Sequence, residues 1–252
     1  MKKEILYEDE DILVVNKPAG ITVNSSDTTK KDKTLQDIVS EYLHISPKKE
    51  YEKKEGYSIS EDDFYNRAGI VHRLDKETSG VILVAKNPRA FKNLQEQFKN
   101  REVKKTYIAL AHGSISPSIG EINVPVGRLP WNRKHFGILA GGREAVTEYE
   151  VLEEYVYVKE TVSLLRLFPK TGRTHQIRVH LQYIHHPIFS DFLYAGRKTA
   201  RNDRRYLKRV FLHAESISFT HPRKGDTASF TAPLPCELQS ILDTAQKTKI
   251  LA

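Results

Sequence analysis

Nine consecutive residues, His72-Arg73-Leu74-Asp75-Lys76-Glu77-Thr78-Ser79-Gly80, bring an imidazole, a guanidinium, an ammonium and two carboxylates into one short stretch. They stand just before a continuous apolar run, 81–85, that reads as a buried strand. A carboxylate on a loop at a strand end is well placed for catalysis, because rigid scaffolds commonly carry their reactive groups on such loops. The flanking cations His72, Arg73 and Lys76 favour the charged form that a nucleophile needs. A structural role fits as well: Asp75 caps a turn and Arg73 pairs with a surface acid. Spacing alone leaves both readings open.

Other groups have residue types that could do chemistry. Residues 127–143 form a basic loop with Trp131 and Phe136 among the cations, a mixture suited to unpaired RNA held by phosphates and stacking. Residues 197–209 add Arg197, Lys198, Arg201, Arg204, Arg205, Lys208 and Arg209, which serve equally as a solvated face. The segment 169–174 is superficially like a phosphate loop but lacks the first glycine and the Gly-Lys-Ser/Thr order. His175 and His180 stand five apart, whereas zinc-binding helices place two histidines four apart, so no metal is expected. His185-His186 reads as a turn ending at Pro187.

The elements that must position these groups follow from periodicity and breakers. Short strands are expected at 5–8 and 12–16 around the acidic turn 9–11. Leu35, Ile38, Val39, Tyr42 and Leu43 make one helical stripe, with Thr34 and Asp37 as a capping pair. Residues 46–66 are polar with little periodicity and read as a surface insertion. Asn87-Pro88 opens a helix with Phe91, Leu94 and Phe98 on one face. Strands are expected at about 103–112, 121–126, 145–152 and 161–168, a helix at 174–184, a basic helical stretch at 198–209, and closing strands at 210–220 and 227–231. Many strands with few, scattered helices predict an α+β fold with a mixed, mostly antiparallel central sheet and flanking helices.

Composition sets the class. The chain has 252 residues, 39% hydrophobic and 29% charged, an ordinary globular balance. No apolar run approaches the roughly 20 residues of a membrane helix, and no signal peptide is read at the N-terminus. The single cysteine, Cys236, can form neither an internal disulfide nor a cage of several sulfurs, which suits a reducing cytoplasm. A net charge of +8 favours polyanionic partners.

The stretch 72–80 resembles the central motif of the RluA family of pseudouridine synthases, HRLD-x-x-T-S-G. Further stretches resemble the family's motifs in the same order: Asn16-Lys17-Pro18-Ala19-Gly20, Lys104-Lys105-Thr106-Tyr107, Gly172-Arg173-Thr174-His175-Gln176-Ile177-Arg178-Val179-His180, and Phe211-Leu212-His213-Ala214 followed by Thr220-His221-Pro222. The resemblance runs from about residue 5 to about residue 233, and several motifs in order carry far more weight than one.

It implies a single catalytic domain over 1–252, with an RNA-binding cleft, the insertion at 46–66 and no N-terminal accessory RNA-binding module. It implies site-specific isomerisation of uridine to pseudouridine in structured RNA, transfer or ribosomal, without metal or organic cofactor; a monomer is the default expectation. By resemblance Asp75 is the nucleophile, acting at C1′ of the ribose, at C6 of the base, or by assisting loss of the base. Tyr107 is the active-site tyrosine, stacking on uracil and taking a proton; on residue type alone it equally fills core. Arg178 is the arginine that pairs with the nucleophile. Arg73 and His72 are expected to contact RNA, Arg173 to meet a phosphate, and Leu212 to pack beside the extruded base. The competing reading is a non-catalytic RNA-binding or RNA-chaperone protein.

Overall fold

The computed structural model describes residues 2–25, 32–46, 61–132 and 135–247. In chain order the elements are β1 (Ile5–Glu8), β2 (Ile12–Lys17), α1 (Leu35–Leu43), α2 (Glu61–Asn66), β3 (Ser79–Ala85), α3 (Pro88–Lys99), β4 (Lys104–His112), β5 (Ile119–Asn123), β6 (Val126–Arg128), β7 (Phe136–Ile138), β8 (Val146–Tyr157), β9 (Glu160–Pro169), α4 (Gln176–Tyr183), α5 (Arg197–Asp203), β10 (Leu212–Thr220), β11 (Thr227–Thr231), α6 (Cys236–Thr244) and β12 (Gln246–Lys247). The chain divides into two compact units, Met1–Val103 with Ser216–Ala232, and Lys104–Glu215 with Pro233–Ala252. Strand pairing inside each unit is antiparallel, and the class is α+β.

In the first unit β1 pairs with β2 and β2 with β3, while the second half of β10 pairs with β11. All seven residues of β3 are buried, which is why its sequence is a continuous apolar run without polar alternation. Its core joins Ile12, Val14, Leu83, Phe91, Leu94, Ile217 and Phe219. Helix α1 starts on the expected capping box, with Thr34 and Asp37 satisfying each other's backbone N–H groups. Helix α3 starts at Asn87, whose side chain accepts from Ala90 N–H, and Pro88 occupies the first turn. Part of the expected insertion, residues 47–60, lies outside the described residues. Its end is ordered, against expectation: 61–66 form α2, because Phe64 is buried edge-on against Phe91, with ring centroids 5.9 Å apart.

In the second unit the order is β4-β9-β8-β12, with β5 on the far side of β8 and β6 paired to β7 as a separate hairpin. Strict alternation fixes the faces. Tyr107 pairs with Leu167 and Leu167 with Tyr149, so these share one face; Ile108, Arg166 and Glu150 share the other. Helix α4 packs on the Tyr107 face. Its Gln176 Nε2 donates to Thr147 Oγ1 at 3.0 Å, and Ile177 and Leu181 enter the core. Three sequence expectations change here. The 127–143 loop contains the β6–β7 hairpin, and its residues 133 and 134 lie outside the described residues. Regular helix in the basic stretch ends at Asp203. An unforeseen helix, α6, buries Leu238 and Ile241, one turn apart.

Candidate functional site

The loop that carries Asp75 is braced from three sides. Gly69, at φ +74, lies where an added Cβ would meet Ala85 O at 2.0 Å, so only glycine lets the chain run against β3 on its way to residues 70–75. Ile70 then bridges to Val84. His72 Nε2 accepts the N–H of Leu83 at 2.9 Å, and its ring stacks on Phe98 at 5.0 Å. Leu74 and Thr78 are buried on either side of the half-buried Asp75. Thr78 N–H donates to Asp75 O, closing a turn. The third brace is the Asn16–Gly20 motif. Lys17 is fully buried, and its Nζ donates to Pro18 O at 2.9 Å, Ile21 O at 3.0 Å and Lys76 O at 3.3 Å. Gly20 N–H, at φ +90, donates to the same Lys76 carbonyl at 2.7 Å. One buried ammonium thus ties two motifs 59 residues apart. Arg73 is exposed. Its charge adds to burial in pushing the guanidinium of Arg67 below its ordinary value.

Of the groups expected in the second unit, Tyr107 is half-buried against the core and Leu212 is buried within it. Arg178 is buried on α4. Its Nε and Nη2 donate to Asp191 Oδ2 and Oδ1 at 2.7 and 2.8 Å, a two-pronged ion pair. Asp191 is wholly buried, and its Oδ1 also accepts the N–H groups of Leu193 and Tyr194. The Tyr194 ring lies 5.0 Å from the Arg178 guanidinium, within cation–π range. The Tyr194 hydroxyl accepts the N–H of Phe136 in β7 and sits 2.8 Å from His175 Nδ1. Tyr194 therefore links the hairpin, the start of α4 and the buried arginine. Asp191 and Tyr194 were not singled out in the sequence, although an acid inside the apolar stretch 188–195 is the signature of a buried, paired charge.

Arg173 stands ahead of α4, which begins two residues later than expected. Its Nε donates to Glu144 O, and its N–H to Gln176 Oε1. His175 caps the helix at φ +57. His180 Nδ1 contacts Thr147 Oγ1 and Nε2 contacts Val124 O, so both ring nitrogens are engaged; burial pushes its pKa down. In the hairpin loop Trp131 is 77% exposed, and Arg128 lies 5.2 Å over the Phe136 ring.

One group, Asp9, Asp11 and His221, has ligand atoms within 4.8 Å of one another. Protein donors already hold these atoms. Asp9 accepts from Asp11 N–H, Ile12 N–H and Tyr7 Oη, and contacts His221 Nε2; Asp11 accepts from Asn87 and Arg223. The group reads as an ion-pair lock closing the first unit. No helix among the described residues is long and apolar enough to cross a membrane.

Comparison with known proteins gives the family. Residues 11–183 match the family model described as RNA pseudouridylate synthase. An uncharacterized RNA pseudouridine synthase of Mycobacterium bovis is 39% identical over 239 residues, covering 94% of this chain and 71% of the relative. Ribosomal large subunit pseudouridine synthase D of Neisseria meningitidis is 38% identical over 249 residues, covering 96% of this chain and 61% of the relative. The solved structure of human RNA pseudouridylate synthase domain containing 1 superposes with a TM-score of 0.71 at 29% identity, over 99% of this chain and 90% of that one. The chain belongs to the RNA pseudouridylate synthase family, enzymes that isomerise uridine to pseudouridine in RNA.

Proposed function

We propose that Asp75 is the nucleophile of a site-specific uridine isomerisation in structured RNA, with Tyr107 and Arg178 completing the catalytic set. In the net reaction the N1–C1′ bond breaks and a C5–C1′ bond forms. C5 loses a proton and N1 gains one, so nothing is oxidised or reduced. Tyr107 stacks on the uracil and handles the proton at C5; Arg178 orients a carboxylate. Arg73, His72, Arg173 and Leu212 are the proposed RNA contacts. The observation that carries the reading is the half-buried carboxylate of Asp75, on a loop locked by Lys17, His72 and Gly69, inside a nine-residue family motif.

Large-subunit ribosomal RNA is the first substrate to test, because the Neisseria relative is named for it; transfer RNA is the second. The proposed enzyme is a cytoplasmic monomer that needs no metal or organic cofactor, so activity is expected to survive a chelator. The deciding experiment is Asp75→Asn assayed on unmodified transcripts of both RNAs. Pseudouridine formation is expected to vanish while RNA binding stays. Wild-type protein that binds RNA and forms no pseudouridine would instead mark an RNA-binding protein without catalysis.

A further inference from the structure

Lys105 lies two residues before Tyr107 in β4, so both side chains leave the same face, about 6.8 Å apart along the strand. Lys105 is half-buried, and burial alone lowers its ammonium to about 8. Among the described residues it has no carboxylate, carbonyl or ring as a partner.

The surroundings explain why. On the Lys105 face, β9 presents Leu165, Leu167 and Pro169, and β8 presents Thr147, Tyr149 and Val151, with no carboxylate among them. The acids of β8 nearest to it, Glu148 and Glu150, lie on the reverse face and are already paired; Glu154 lies far along the strand, where Ser114 binds it. Arg166 takes Glu150 at 4.0 Å and Glu215 at 3.6 Å, and Lys170 takes Glu148 at 2.7 Å. Lys104 and His112 alternate to that reverse face of β4. In β10, Glu215 faces Arg166, which puts His213 on the same side and turns Leu212 and Ala214 toward the Lys105 face. Helix α4, packed on the Lys105 face, contributes Arg178, which binds Asp191, and His180, held by Thr147 and Val124. Arg173, ahead of that helix, is a further cation. Within this unit the nearby acids of β8 thus face away from Lys105, and Asp191 is bound to Arg178.

A partly desolvated ammonium without a counter-charge is costly, and an anionic ligand relieves that cost. We propose that Lys105 is a substrate contact: its ammonium holds a phosphodiester oxygen of the RNA while the base of the same or the adjoining nucleotide lies on Tyr107. The inference rests on the RNA-modifying reading above and adds to it a phosphate subsite on β4. The ligand is an anion by chemistry, and the two-residue spacing suits the reach from a base to a neighbouring backbone phosphate.

The test uses the full chain and unmodified transcripts of large-subunit ribosomal RNA and transfer RNA. Binding and pseudouridine formation are measured for wild type, Lys105→Met and Lys105→Arg. An ammonium near 8 is about nine-tenths charged at pH 7 and about one-tenth at pH 9, so wild-type affinity is expected to fall roughly ten-fold across that range. Lys105→Arg stays charged and is expected to bind tightly with no such fall. Lys105→Met is expected to bind about ten-fold more weakly at pH 7, to show no fall, and to lose about one unit of salt slope. Methionine keeps the stem's bulk, and a melting curve checks that the variant folds. Lys105→Met affinity and pH profile matching wild type would overturn the proposal. So would lost turnover at unchanged affinity, which would make Lys105 a proton carrier. Absence of pseudouridine with wild type is a separate outcome that removes the enzyme reading and leaves the binding comparison intact.

Discussion

Replacing Asp191 by asparagine tests whether a buried carboxylate sets the orientation of Arg178. The native pair makes two hydrogen bonds of 2.7 and 2.8 Å at a site where Asp191 is inaccessible to solvent and Arg178 nearly so. Removing one charge of a buried pair costs about 3–5 kcal/mol, because the other is left uncompensated. Asparagine keeps one oxygen to accept from Leu193 and Tyr194, and the Tyr194 ring still faces the guanidinium, so the lower end, about 3 kcal/mol, is expected. For a chain of this size that corresponds to a melting shift of roughly 6–12 °C. Urea unfolding followed by circular dichroism measures the stability, and single-turnover pseudouridine formation, run well below the melting temperature, measures the chemistry. Turnover is expected to fall even where the protein is fully folded, since the arginine is no longer clamped. The double variant Arg178→Met with Asp191→Leu is expected to recover folding stability without recovering activity, as apolar residues commonly replace buried pairs without loss. A loss below about 1 kcal/mol in Asp191→Asn, or wild-type turnover in the double variant, would refute the reasoning.

Tyr107→Phe is expected to lower turnover more than RNA affinity; equal turnover would show that the hydroxyl carries no proton. Trp131→Ala is expected to weaken RNA binding by about 1–3 kcal/mol if a base stacks there, and to leave the melting temperature unchanged because the ring is exposed. Burial alone would raise the carboxyl of Asp9, but the N–H groups of Ile12 and Asp11, together with His221 and Tyr7, hold it well below the usual carboxylate range. Its folded pKa is depressed, so its stabilising share is complete above about pH 4 and is lost as pH falls further. Asp9→Asn is expected to lower stability at pH 7, and urea midpoints for variant and wild type are expected to converge toward pH 2. Parallel pH profiles would contradict the lock.

The family is legible in the residues alone, because nine around Asp75 and four further motifs recur in order, and so are most elements, because their signals are local. Thr34 with Asp37, and Asn87 with Pro88, cap helices through contacts no more than three residues away, and the run at 81–85 is apolar because both faces of β3 are covered. Helix α2 has no local signature, because a single aromatic, Phe64, anchors it in a polar stretch by packing on the distant Phe91. Which charges meet depends on the folded chain. Lys17 reads as a surface lysine until the chain returns 59 residues later to offer it the Lys76 carbonyl. Asp191 grips Arg178 across 13 residues, and Tyr194 joins Phe136 across 58. Among the described residues Lys105 meets no counter-charge, because strand register sends Glu148 and Glu150 to the reverse face. Local propensity is written into a few adjacent residues, whereas burial and pairing depend on which distant segments the fold brings into contact.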